Sequence, residues 1–219
     1  MSGLPLKQGP NSVPVRVIAT MAHATKKRST FRHGSLPEAL LNAALRRIEA
    51  DGVESITLRD LANDTGVNHR AIYRHFPDKD TLLGAVAERC WQNFIRHQRR
   101  AIANQPPGEA MLVAAGVANY LYARDHPNIF HFVNTERFDL GGRFPGYQAA
   151  VMEAVQILAI GFAGTGMDPD KVLWRAALYM TALQGIISQL LHKRLRVAPP
   201  NATKMIAEAC TMLVKGFSA

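Results

Sequence analysis

His69, Arg70, Tyr73 and Arg74 fall at i, i+1, i+4 and i+5 of a short helical stretch, which puts them on one face with Ala71 and Ile72 opposite. Two guanidinium groups, an imidazole and a phenol on one face offer hydrogen-bond donors to phosphate oxygens and to guanine edges. Three cations nearby point the same way. Arg59 and Arg70 each fall at the second position of a helix start, and Lys79 at the first. A cation in a first turn opposes the helix dipole, at a cost of about 0.3–1 kcal/mol when exposed. A phosphate at such a site meets both the cation and the free backbone amides, so three of these placements within one short segment point to a polyanionic partner.

The elements that must hold these side chains are legible as helices with caps. Ser35 and Glu38 form a capping box ahead of Leu36, Leu40, Leu41, Ala44, Leu45 and Ile48, which recur at helical spacing until Asp51-Gly52. Thr57 and Asp60 form a second box, opening a short helix through Leu58, Leu61 and Ala62 that halts at Gly66. Asn68 caps a helix over His69–His75, Pro77-Asp78 breaks it, and a long helix runs from Lys79 to about Ala103. Short helix, glycine turn, short helix is the layout of a helix-turn-helix, whose second helix enters a DNA groove. Further helices are expected over Glu109–Asp125, Pro127–Asn134, Tyr147–Gly164, Asp168–Leu195 and Pro200–Phe217, each bounded by Pro or Gly and none showing strand alternation. The expected fold is all-α, with about nine helices.

The chain-level numbers agree. The 219 residues are 47% hydrophobic and carry a net charge of +9. Residues 1–105 hold 16 Lys and Arg against 9 Asp and Glu, and residues 106–219 hold 10 against 8, so the front half is the one suited to a polyanion. Every apolar stretch is interrupted by charges, prolines or glycines before it reaches membrane-spanning length, and Val15–Met21 is too short for a signal segment, so a cytoplasmic protein with no membrane contact is expected. Cys90 and Cys210 have no metal-ligand spacing, and no metal or cofactor is expected. No G-x-S-x-G, H-E-x-x-H, Walker or Rossmann glycine pattern occurs, and Glu136 and Asp139 are close in sequence but lack a partner base; the chain is not expected to be an enzyme.

The run from Ile56 to Leu83, with the preceding Ala43, Ala44 and Gly52, resembles the N-terminal domain of the TetR (tetracycline repressor) family over about residues 35–85. Its most specific part is the Gly66-Val67 turn followed by Tyr73-Arg74-His75-Phe76 and Lys79. The resemblance implies that Thr57, Arg59, His69, Arg70, Tyr73, Arg74, His75 and Lys79 face DNA, with Tyr73, His75 and Lys79 on the phosphate backbone. Arg70 and Ala71 depart from the family, where Gly and Thr are frequent, so the operator sequence is not carried over. His126–Phe130 and Leu183–Ile186 resemble one of the family's C-terminal subgroups. The implied organisation is a flexible basic arm at 1–34 (or a start at Met21), a DNA-binding domain at 35–85 and a ligand-binding and dimerisation domain at 86–219.

That resemblance implies a repressor released from an inverted-repeat operator by a small, largely apolar effector; the alternative is a helix-turn-helix binder that is ligand-independent or activating. Side chains suited to an apolar pocket with a few polar groups are Trp91, Phe94, His97, Tyr120, Phe130, His131, Met152, Gln156, Trp174, Met180 and Gln184, with Asn119 beside them. Residues 168–217 are amphipathic and long enough for two helices, which from two subunits make a four-helix homodimer interface. Gly141-Gly142, in the loop after Phe138, marks either a flexible entry to the pocket or a turn.

Overall fold

The structure, a computed structural model, describes residues 36–135 and 142–218. The basic arm, the Ser35 half of the first capping box, and Glu136, Phe138, Asp139 and Gly141 lie outside the described residues. Among the described residues the chain forms nine α-helices and no strand: α1 Leu36–Asp51, α2 Leu58–Thr65, α3 His69–Tyr73, α4 Lys79–Ile102, α5 Glu109–Asp125, α6 Pro127–Thr135, α7 Pro145–Ala163, α8 Pro169–Leu191 and α9 Pro199–Ser218. The all-α expectation holds.

Several boundaries shift by a residue or two from expectation, and three departures have a clear local reason. A 3-10 turn at Val53–Ser55 follows Gly52, whose φ of 81° needs a residue without a Cβ. α3 stops at Tyr73 rather than His75: Pro77 disfavours helical backbone in the residue before it, and the His75 and Phe76 amides both close on the Ile72 carbonyl. α8 ends at Leu191 rather than Leu195, where Lys193 takes a left-handed φ of 57° and the Arg194 and Leu195 amides both donate to the Gln189 carbonyl.

The helices bury three clusters. The first joins α1, α2, α3 and the start of α4, through Leu40, Ile48, Leu61, Ile72 and Leu82, to Ile129 and Phe132 of α6. The second packs α5 against α8 and α9 around Leu112, Phe162, Tyr179, Leu183 and Ile206. The third sets Trp91, Phe94 and Ile95 of α4 against Met111 and the Ala150, Ala154, Ile157 stripe of α7. Each fully buried Leu, Ile or Phe contributes about 1.5–3 kcal/mol relative to exposure. The Tyr179 hydroxyl avoids an orphaned donor by bonding the Leu112 carbonyl at 2.8 Å.

α7 corrects one expectation. Its 19 residues reach a mean hydropathy of 1.2 over an 18-residue window, long and apolar enough to cross a membrane by length and composition. Its buried positions from Ala150 to Phe162 instead pack on α4, α5 and α8, as a core helix does. Where α7 begins, Phe144 lies against α4 so closely that a Cβ on Gly84 would stand 2.3 Å from the ring, and only glycine admits that approach. α4 thus belongs to both halves: it runs unbroken from the first cluster into the third.

Candidate nucleic-acid interface and ligand cavity

The head is built from its caps. Thr57 Oγ1 accepts the Asp60 amide at 3.0 Å and donates to Asp60 Oδ2 at 2.6 Å, fixing the start of α2. Gly66 ends α2 in the left-handed region (φ 67°), and its amide closes on the Ala62 and Asn63 carbonyls. That turn delivers Asn68, whose Oδ1 accepts the Arg70 amide at 2.9 Å and starts α3. Asp78 Oδ1 then accepts the Thr81 amide and hydroxyl, both at 2.7 Å, to start α4. Those bonds from Thr81, and the Arg143 guanidinium 2.7 Å from the other carboxylate oxygen, hold Asp78 below the usual carboxylate range. Arg47 forks onto Asp64 and ties α1 to α2, holding that carboxyl low as well.

Packed this way, α3 turns Ile72 inward (1% exposed) and presents Arg70, Tyr73 and Arg74 to solvent, Tyr73 at 52%. Thr57, Arg59 and His75 are also exposed, and His69 and Lys79 half-buried. Arg59, Arg70, Arg74 and Lys79 have no ion-pair partner among the described residues, while seven other cationic side chains do. Arg59 and Arg70 stand second in their helices and Lys79 first, where free amides reinforce a cation's pull on a phosphate. Thr57 spends its hydroxyl proton on Asp60, so that hydroxyl has no proton left to donate.

Above the head, α4, α5, α6 and α8 line a narrow, part-open cavity of about 30 Å³, room for about two water molecules. Of the side chains expected in a pocket, Trp91, Phe94, Phe130 and Gln184 line it, as does Asn119. The others do not. Met152 and Gln156 share the outer face of α7, Trp174 is 62% exposed, and His131 is exposed and lies 6.2 Å from His192, ring to ring. Tyr120 is buried in the second cluster and borders a separate groove by the α8–α9 turn, and Met180 packs between the second and third clusters. His97 stacks on Tyr122 at 5.3 Å from outside the lining.

Sequence reading missed Cys90, Tyr122, Ile129, Val133 and Asn134 in the cavity wall. Burial pushes the Cys90 thiol up to about 12, so it is an inert wall group. Cys90, Tyr122 and Ile129 also line a surface groove against α1, beside Glu49. There His126 Nδ1 lies 2.7 Å from Glu49 Oε1, and Asn128 Nδ2 donates to the Glu49 carbonyl at 2.9 Å. The Tyr122 ring meets Phe94 edge-on at 5.6 Å and lies tilted against His126 at 4.6 Å, so an unbroken run of contacts leads from the cavity to the end of α1.

A capped helix-turn-helix presenting unpaired cations, carried on a helical bundle, defines a DNA-binding transcriptional regulator. Residues 40–86 match the model of the bacterial regulatory proteins of the tetR family. Over those residues the chain carries the DNA-binding domain of that family. It is 29% identical over 150 residues to an uncharacterised helix-turn-helix transcriptional regulator of Mycobacterium tuberculosis, covering 68% of this chain and 67% of the relative. A nicotine-responsive transcriptional repressor of Paenarthrobacter nicotinovorans is 35% identical over 65 residues, which are 30% of this chain and only 34% of that one. The solved structure of BioQ with its natural double-stranded DNA operator superposes with a TM-score of 0.60 at 21% identity, over 84% of this chain and 98% of that one.

Proposed function

We propose that this chain is a ligand-released repressor of the cytoplasm. Residues 35–85 hold an inverted-repeat DNA operator through Thr57, Arg59, His69, Arg70, Tyr73, Arg74, His75 and Lys79, and residues 86–219 bind a small, largely apolar effector and pair two copies through 168–217. The observation that carries the reading is α4. Lys79 is its first residue, and Trp91, twelve residues or about 18 Å further on, walls the cavity. Because the cavity is narrow, a guest of any size must part α4 from α5 and α6, and a displaced α4 takes Lys79 with it. The Tyr122–His126–Glu49 contacts carry the same displacement to α1.

Two further observations support the pairing and the switch. Of seven exposed large hydrophobic side chains among the described residues, Leu173, Trp174 and Met212 lie on α8 and α9, as an unsatisfied helix pair requires. The relatives include a repressor that responds to nicotine and a fold neighbour seen on its operator.

The test starts from the intergenic duplex beside the chain's own gene, searched for an inverted repeat. A small molecule that raises the melting temperature of the purified protein is then titrated with and without that duplex. The reading requires DNA to weaken ligand binding by the same factor as ligand weakens DNA binding; a tenfold effect corresponds to about 1.4 kcal/mol of preference. Equal ligand affinity in both titrations rejects the switch and leaves a ligand-independent regulator.

A further inference from the structure

The cavity lining is specific about charge. Among the described residues no Lys, Arg, Asp or Glu lines it, so an anion or a cation would be desolvated there without a counter-ion from them. Four aromatic rings, those of Trp91, Phe94, Tyr122 and Phe130, make an electron-rich wall that by itself would suit a cation. Trp91 decides against that. It is 6% exposed, and its indole N–H has no hydrogen-bond partner among the described residues. An orphaned buried donor is costly, and the group that relieves it is an acceptor, which a cation is not. The remaining polar groups among the described lining residues, the Asn119, Asn134 and Gln184 amides, the Tyr122 phenol and the Cys90 thiol, are uncharged. Gln98 Oε1 is also buried without a partner, but it lies outside the lining.

We propose that the cavity selects an uncharged, mostly apolar guest bearing one carbonyl-type acceptor, which the Trp91 indole N–H holds. The aromatic rings take the apolar body of the guest, and the indole fixes its orientation. This rests on the reading of the cavity as the effector site and names the chemical class of the effector. Ketones, esters, lactones and amides belong to the class; carboxylates, phosphates and quaternary amines do not.

The chain has two tryptophans, and the other, Trp174, is 62% exposed, so indole N–H resonances of the full chain give one reporting signal and one internal reference. Trp91→Phe assigns them. Four single-ring probes are titrated: acetophenone, α-methylstyrene (the same shape with the oxygen replaced by carbon), benzyltrimethylammonium and benzoate. Acetophenone is expected to bind saturably, to move the Trp91 indole proton downfield while Trp174 stays put, and to bind about 3- to 10-fold tighter than α-methylstyrene. Trp91→Phe should remove that advantage and leave α-methylstyrene unchanged. Equal affinity for acetophenone and α-methylstyrene on the unaltered chain, or tighter binding of either charged probe, overturns the acceptor assignment while a ligand cavity still stands. Saturable binding by none of the four overturns it together with the effector reading, and leaves DNA binding untouched.

Discussion

Arg70 and Lys79 are both cations at helix starts, yet on the proposed operator they would do different work. Arg70 is exposed on the outer face of α3 beside Tyr73 and Arg74, where a recognition helix meets base edges. Lys79 is half-buried at the first position of α4, where a phosphate gains from both its charge and the free amides. Arg70→Ala should therefore lose about 1–3 kcal/mol on the operator and much less on random duplex, relaxing preference at one position per half-site. Lys79→Ala should weaken both alike and lower the slope of log affinity against log salt by about one for each phosphate that the lysine neutralises. Affinity measured on operator and on random duplex across a salt series separates the two. An Arg70 variant that loses equally on both duplexes would show that this side chain touches only phosphate.

At the scale of elements, the caps were legible and the cavity was not. Thr57, Asn68 and Asp78 act on amides two or three residues away, so the sequence that names the cap also names its partner. The cavity wall is assembled by the crossing of α4, α5, α6 and α8, and no local pattern brings Cys90, Tyr122 and Asn134 together. Residue type alone misplaced Met152 and Trp174, because α7 and α8 are apolar on several faces and composition does not say which one turns inward. Arg143 on Asp78, 65 residues apart, was equally out of reach.

The Asp78 cap carries a pH dependence of its own. Its carboxyl is lowered by the Thr81 amide, the Thr81 hydroxyl and Arg143, so it stabilises the fold above the unfolded aspartate pKa of about 3.9, and that contribution is lost as pH falls through the lower folded value. Asp78→Asn should melt below the unaltered chain at pH 7, and the gap should close under strongly acidic conditions. A gap that stays constant down to acid pH would place the cost elsewhere than in the ionised cap.

For the whole molecule, pairing and DNA reading are one geometric problem. Exposed Leu173, Trp174 and Met212 leave α8 and α9 with an apolar face that a second copy would cover, while Ala202, Ile206, Cys210 and Val214 turn the other side of α9 into its own core. A twofold pair built there presents two α3 helices, and these must stand about 34–36 Å apart to enter successive major grooves. The central claim is that Thr57–Lys79 reads DNA as a symmetric pair, and selection from a pool of random duplexes tests it most directly. The expected result is enrichment of an inverted repeat with half-site centres about one helical turn apart, bound by two chains, with preference relaxed at one position per half-site by Arg70→Ala. Recovery of a single unrepeated site, or no enrichment at any salt concentration, would contradict it.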